Sequence, residues 1–417
     1  MRARTPSRFG MAAVVLLASV VGGCLEGEKR IGVQYDRSAD RFVFLVLFNH
    51  ISSDKLAADG GDTEADADHL QALWNNRDHL ILLPGVGQFI SDSDGWIGRQ
   101  LTDDGVGWLR VSATRYEQLS LGGASTSQPQ ETNLALDTIQ IKPGKLFNDG
   151  GSNLCYYHQV IVPGALVDKA IDIVATSGSQ EIVSALDNEI ASRAGGVATG
   201  TWDEIARGLI VQIDAVPDDP SAGQDAAAAP LPHGFSLASL RAMRQAVSTA
   251  GRLDLSRSGS IFTMKMPMTA GDAAGIAANW PAVRDAAQAK IRAISEKLLA
   301  RSAGDASAVD PRPAARALAQ SINVGKDDAG LVMSVDVVAL GQFLSDWESL
   351  NNAALSDDDR IKRDALSKEM GGVAATKMPV DHKLTVAKVM ADFANGTLAS
   401  VPATQPVTPG TGLEINP

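Results

Sequence analysis

Met264-Lys265-Met266-Pro267-Met268 places three thioethers at every second position of an apolar run. Residues two apart in a strand share a face, so Phe262 joins Met264, Met266 and Met268 on one side. Thioether sulfur is soft and suits Cu(I), which makes these three methionines the candidate metal ligands. Methionine also fills irregular core gaps, and Phe262 beside them favours packing. A second pattern alternates carboxylates at Asp62, Glu64, Asp66 and Asp68. A calcium loop begun at Asp62 requires glycine at its sixth position and a bidentate acid at its twelfth; those places hold Ala67 and Leu73. The acids read better as a solvated loop ahead of a helix N-terminus, where negative charge is favoured. Ser52-Ser53-Asp54-Lys55 fits S-x-x-K, yet the Ser-Asp-Asn and Lys-Thr-Gly partners of that chemistry are missing from the sequence. Gly85-Val86-Gly87 lacks the third glycine of a dinucleotide loop. Cys155 and His158 are three apart in a strand and so face opposite ways, unable to share a metal without a bulge. With no histidine pair at ligand spacing, the expectation is a chain without metal or cofactor, Cys155 being a small buried hydrophobe and His158 a half-buried, hydrogen-bonded ring.

The elements that would position these groups read as β-hairpins running into helices. Leu136–Ile141, a turn at Asn148-Asp149-Gly150-Gly151 and Leu154–Val162 lead to a helix from about Pro163. Arg252–Arg257, a turn at Ser258-Gly259 and Ile261–Met268 lead to one from about Ala270. Ala319–Val324, a turn at Asp327-Asp328 and Leu331–Val337 lead to one over 338–350, with Leu340, Phe343, Leu344 and Trp347 at helical spacing. Such units predict an α+β fold of antiparallel sheets with helices on one face. Phe42–Phe48 and His79–Pro84 read as further strands, Gly95–Leu121 as a hairpin turning at Asp103-Asp104-Gly105, and Ala65–Trp74 and Ser236–Ser248 as helices.

At 417 residues with 45% hydrophobic and 21% charged positions, the chain is long enough for two domains of ordinary globular make-up. The Pro- and Ala-rich stretch 216–234 is the candidate linker, giving α+β regions at 36–215 and 235–398, with a charged tether at 24–35 and a tail at 399–417 poor in groups to bury. A net charge of −12 argues against nucleic acid as partner.

The N-terminus carries more specific information. Arg2, Arg4 and Arg8 precede an uncharged apolar run, Met11–Val21, about half of what a membrane-crossing helix requires. Val21-Gly22-Gly23-Cys24 follows. This resembles the lipobox of bacterial lipoproteins: an aliphatic residue, two small residues and a cysteine. The resemblance covers residues 1–24 only. It implies a signal peptide over 1–23, cleavage before Cys24, a diacylglyceryl group on the Cys24 thiol and acylation, for instance by palmitate, of the new amine. Leu25 in place of an aspartate leans toward an outer membrane where the envelope has one. An ordinary signal peptide with Cys24 paired to Cys155, and an uncut anchor, are the other readings of the same residues.

Loss of residues 1–23 removes three arginines and takes the charge to −15, which keeps a body soluble and lifted off a membrane. The expectation is a lipid-anchored envelope protein, its body facing the periplasm or exterior, with a non-catalytic interaction or structural role and other envelope proteins as partners. A ligand-binding lipoprotein and a hydrolase with an unrecognised site are the alternatives. If the methionines are core, Met264→Leu with Met266→Leu conserves volume and costs under about 1.5 kcal/mol in chemical denaturation, while chelator leaves the melting temperature of the wild type unchanged.

Overall fold

The structure is a computed structural model that describes residues 25–53, 80–83, 87–92, 95–102, 105–112, 115–120, 130–131, 140–151, 153–193, 200–218, 234–301, 312–353 and 357–398. The chain runs through β1 (Leu25–Asp36), β2 (Arg41–Ser53), β3 (Leu80–Leu83), β4 (Gly87–Asp92), β5 (Gly95–Thr102), β6 (Gly105–Ser112), β7 (Arg115–Ser120) and β8 (Gln130–Glu131). It continues with β9 (Gln140–Asp149), β10 (Asn153–Pro163), α1 (Gly164–Arg193), α2 (Trp202–Ala215), α3 (Leu237–Ala250), β11 (Asp254–Ser258), β12 (Ile261–Pro267) and α4 (Ala270–Arg301). It ends with α5 (Arg312–Ser321), β13 (Ile322–Lys326), β14 (Gly330–Asp336), α6 (Val337–Ala353), α7 (Asp357–Lys377), β15 (Val380–Asp381) and α8 (Val386–Ala394). The class is α+β, and three hairpin-helix units are present, β9-β10-α1, β11-β12-α4 and β13-β14-α6; the first arm of the first unit, read at Leu136–Ile141, runs over Gln140–Asp149 instead, with 136–139 outside the described residues. The helix read at Ala65–Trp74, the acidic loop Asp62–Asp68 and the tail 399–417 lie outside the described residues.

The chain divides into two compact units, one of residues 1–32, 43–162 and 361–417, the other of residues 33–42 and 163–360. These are not the regions 36–215 and 235–398. Residues on both sides of 216–234 belong to the second unit, because Asp272 on α4 ties them together. Its carboxylate accepts from Trp202 Nε1 at 3.0 Å, Ser236 N at 2.9 Å and Ser236 Oγ at 2.6 Å. Burial raises the Asp272 pKa, but these donors outweigh it and hold the group at about 2. The stretch 216–234, of which 219–233 lie outside the described residues, therefore joins two helices of one unit.

In the first unit the sheet order is β1-β2-β10-β9-β15. Residues 25–35, read as part of a tether over 24–35, belong to its first strand, Leu25–Asp36. The alternation Ile31-Gly32-Val33-Gln34-Tyr35 is a period-two signal that the neighbouring charges Glu26, Glu28, Lys29 and Arg30 obscure. Leu45, Leu47, Phe147, Cys155 and Tyr157 pack against Val386, Val389 and Phe393 of α8. Their strand neighbours Leu146 and Leu154, with Ile51, pack against Met370 and Ala374 of α7 and Met378 just beyond its end. Because adjacent strand residues point to opposite faces, this sheet carries one C-terminal helix on each side. At the β9–β10 bulge a Cβ on Gly144 would lie 1.9 Å from the Tyr157 carbonyl oxygen, so only glycine fits. A six-stranded antiparallel meander, β3 to β8 in order, also falls in this unit. The hairpin read over Gly95–Leu121 is β5–β6 of that meander, with β7 paired to β6 as a further strand.

The second unit has the sheet order β11-β12-β14-β13. Leu331 and Met266 pack under Leu240 and Met243 of α3 and Ala273 of α4. On the opposite face Asp254, Ser256, Ile261 and Lys265 are exposed, so here the helices cover one face as the sequence pattern predicts. Arg257, 4% exposed, anchors this unit. It donates Nε and Nη2 to Asp168 at 2.8 and 2.9 Å, Nη1 and Nη2 to Asp40 at 2.8 and 3.1 Å, and Nη1 to the Gly259 carbonyl at 3.0 Å. Arg257→Met strands two half-exposed carboxylates that water can reach. The expected cost is about 1–3 kcal/mol, below that of a fully buried pair, with Arg257→Lys recovering only part because it lacks the planar fork; urea denaturation checks both.

Candidate functional site

The residues singled out in the sequence do not converge. Cys24, Lys55, Gly85 and Asp62–Asp68 lie outside the described residues. Ser52 is buried in β2. Met264 sits in register between Leu255 and Met333, Met268 is 8% exposed, and Met266 packs on the same core cluster. Those surroundings support packing for the three methionines. The bulge between Tyr156 and His158 does not unite Cys155 with His158. Cys155 faces Phe147 and Tyr157, whereas the His158 ring stacks with Tyr156 at 5.6 Å and Phe48 at 6.4 Å. His158 is 1% exposed, deeper than the half-buried placement read from the strand. Burial pushes the Cys155 thiol up to about 12, so it is neither thiolate nor nucleophile at neutral pH.

A cluster the sequence reading missed holds the first unit's unusual electrostatics. Glu28 of β1 pairs with Arg363 of α7 through Arg363 Nη1. His50 of β2 lies between two acids: Nε2 is 3.8 Å from Glu28 Oε2, and Nδ1 is 3.1 Å from Asp364 Oδ1, a close approach out of line for a hydrogen bond. Asn153 of β10 accepts from the His50 backbone N–H at 2.7 Å, and its amide lies 3.4 Å from His50 Nε2. Arg363 also contacts Asp364 at 3.1 Å. Arg30 Nε and Glu28 Oε2 are buried without a hydrogen-bond partner. The His50 backbone has φ +50°, in the left-handed region that Asn, Asp and His tolerate best. It turns the ring out of the strand's alternation and toward β1 and α7. No sequence signal announces this: Glu28 and His50 sit among ordinary strand residues, and Arg363 is 335 positions from its partner.

Burial is the largest influence on both ionisable groups. It lowers the His50 pKa from 6.5 to about 4, helped by the Arg363 and Arg30 charges and opposed by Asp364. It raises Glu28 above its ordinary value, against the pull of Arg363. A neutral imidazole beside a carboxyl of raised pKa is the pairing used for general acid–base work. Among the described residues, however, the polar groups against the ring nitrogens are Glu28, Asp364 and Asn153, none of them a hydroxyl or thiol to activate. The two acids also address opposite ring nitrogens, so they cannot meet on one ion. Among the described residues no group of three His, Cys, Asp or Glu is placed to hold a metal, and no helix is long and apolar enough to cross a membrane. Comparison with protein-family models, curated proteins and solved structures finds no match to this chain.

The cluster dictates a pH response. Below 6.5 an unfolded His50 takes a proton that the folded chain refuses until about 4, so its contribution is intact above that window and is lost as pH falls through it. Glu28 has the opposite sign, since the folded state takes its proton first. Near neutrality the His50 loss leads. The wild type should lose melting temperature between about pH 7 and about pH 5, and His50→Asn, which keeps a residue suited to positive φ, should flatten that slope.

Proposed function

We propose that this chain is a lipid-anchored cell-envelope protein, acylated at Cys24, whose body serves a non-catalytic interaction or structural role. The observation that carries the reading is the sequence Val21-Gly22-Gly23-Cys24 behind a basic start and a short uncharged apolar run. Acyl chains supply the retention: each buried methylene contributes about 0.8 kcal/mol, and two or three chains make a lasting anchor where one does not. The acidic body adds no attraction to anionic lipid. It faces the periplasm or exterior, on the outer membrane where the envelope has one, with other envelope proteins as partners.

Support for a non-catalytic body comes from what the ionisable groups touch. Arg257, Asp272 and Glu28 each bind segments distant in sequence, and among the described residues His50 has acids and an amide, not a nucleophile, against its ring nitrogens. Among the described residues these contacts hold strands and helices together. A hydrolase would set such a histidine against an attacking oxygen or sulfur.

Cys24→Ala tests the anchor. Cells fed a clickable palmitate should label the wild-type chain and not the variant, which should accumulate uncut or leave the membrane fraction. Equal processing with undiminished membrane retention of the variant would overturn the reading.

A further inference from the structure

Strand β1 begins at Leu25, one peptide bond after Cys24. Consecutive Cα atoms are about 3.8 Å apart, so an acyl group on Cys24 has no slack before the folded sheet starts. Glu28, only four residues on, is already held by Arg363 of α7, and four strand residues reach about 13 Å. The same end of the sheet can be traced through contacts. Glu28 meets His50 near the end of β2, His50 meets Asn153 at the start of β10, and β9 and β10 pair up to Asp149 and Asn153 beside the exposed turn Gly150-Gly151. The opposite end of that hairpin, at the Gln140–Ile161 pair, lies on the order of 30 Å further along the strands.

We propose that the first unit stands directly on the bilayer, with the sheet end formed by the start of β1 and the β9–β10 turn apposed to the lipid headgroups. The proposal rests on acylation of Cys24. It commits to a lipid surface as the partner of this sheet end and to the covalent anchor as the cause, the anchor overriding the lift that a net charge of −15 without residues 1–23 gives the body. A lipoprotein that reached outward on a flexible tether would leave this end free; here the tether's place is taken by a strand. The start of β1 thus transmits the position of the anchor straight into the sheet and, through Glu28 and Arg363, into α7.

The test uses the full mature chain recovered lipidated from cells and reconstituted in phosphatidylcholine vesicles that contain a headgroup-quencher lipid. A fluorophore is placed at Asp149→Cys or at Gln140→Cys; Cys155, fully buried, stays unlabelled. Quenching at 149 should exceed that at 140 several-fold, unchanged by salt. A flexible Gly/Ser spacer of about twenty residues between Cys24 and Leu25 should abolish the contrast. The unlabelled protein gives an independent reading: amide exchange over 149–153 should slow on vesicles relative to a shortened chain starting at Leu25. Equal quenching at both sites on a palmitate-labelled chain overturns the apposition while leaving the anchor standing. So does a contrast that survives the spacer. Failure of palmitate to incorporate overturns the anchor and the apposition with it.

Discussion

The guanidinium of Arg257 has five N–H donors, and all five are taken: two by Asp168, two by Asp40 and one by the Gly259 carbonyl. Arginine can satisfy planar carboxylates on two sides in this way because its fork is rigid. The residues it joins are Asp168 near the start of α1, Asp40 in the turn between β1 and β2, and Gly259 in the turn after β11. Tyr35 donates its hydroxyl to the same Asp40 at 2.6 Å, and the rings of Tyr35 and Phe42 lie 6.0 and 5.7 Å from the guanidinium carbon. The Asp40 backbone carbonyl accepts from Gly164 at 2.7 Å, and Arg257 holds its carboxyl down at about 2. This one buried cation explains why residues 33–42 belong with 163–360 although the strands that carry them continue into the other unit's sheet. The interleaved order of the two units follows from it.

A different logic governs the Glu28–His50–Arg363 cluster. There the charges are satisfied incompletely, with burial setting both shifted pKa values. A buried ion pair of this kind gains little net stability over apolar packing, but removing one partner leaves an uncompensated charge. What it supplies is discrimination. β1 is an edge strand in the sheet order, and edge strands slip or pair wrongly when nothing fixes their register. A glutamate that finds its arginine and histidine only in one register serves that end. The same arrangement on a residue two positions away would point Glu28 to the same face but out of reach of Arg363.

Much of this architecture was legible in the sequence. The hairpins ending in Gly259 and Gly330, both at positive φ, carry alternating apolar strands bounded by turn residues, and the helices behind them start within a residue or two of where the periodicity changes. Ser236, read as the start of a helix, is its N-cap, accepting from Ser239 N. The misreadings have physical causes. Charge hid β1, because Glu28 and Arg30 look solvated until α7 is brought across from 335 residues away. Helix α7 escaped notice since Gly371 and Gly372 interrupt a mostly polar run. The Pro- and Ala-rich stretch resembled a domain boundary, and composition cannot tell a loop within a unit from a linker between units; the Asp272 hub decides it. The cluster around His50 was not legible at all. It depends on a backbone φ of +50° and on partners from three other segments, β1, β10 and α7, neither of which has a local signature.

Cys155 shows what holds the first sheet together. An exported protein whose two cysteines pair draws stability from the cross-link. Here Cys155 lies at 0% exposure in the core cluster of Leu45, Leu47, Phe147 and Phe393, with its Sγ 3.4 Å from the Asn153 carbonyl. A thiol so placed is reached by another cysteine only if the core opens, and its raised pKa keeps it protonated against thiol exchange. Cys155 therefore belongs to the packing of the first sheet. The first sheet thus stands on apolar burial on both of its faces, with no cross-link drawn from Cys155.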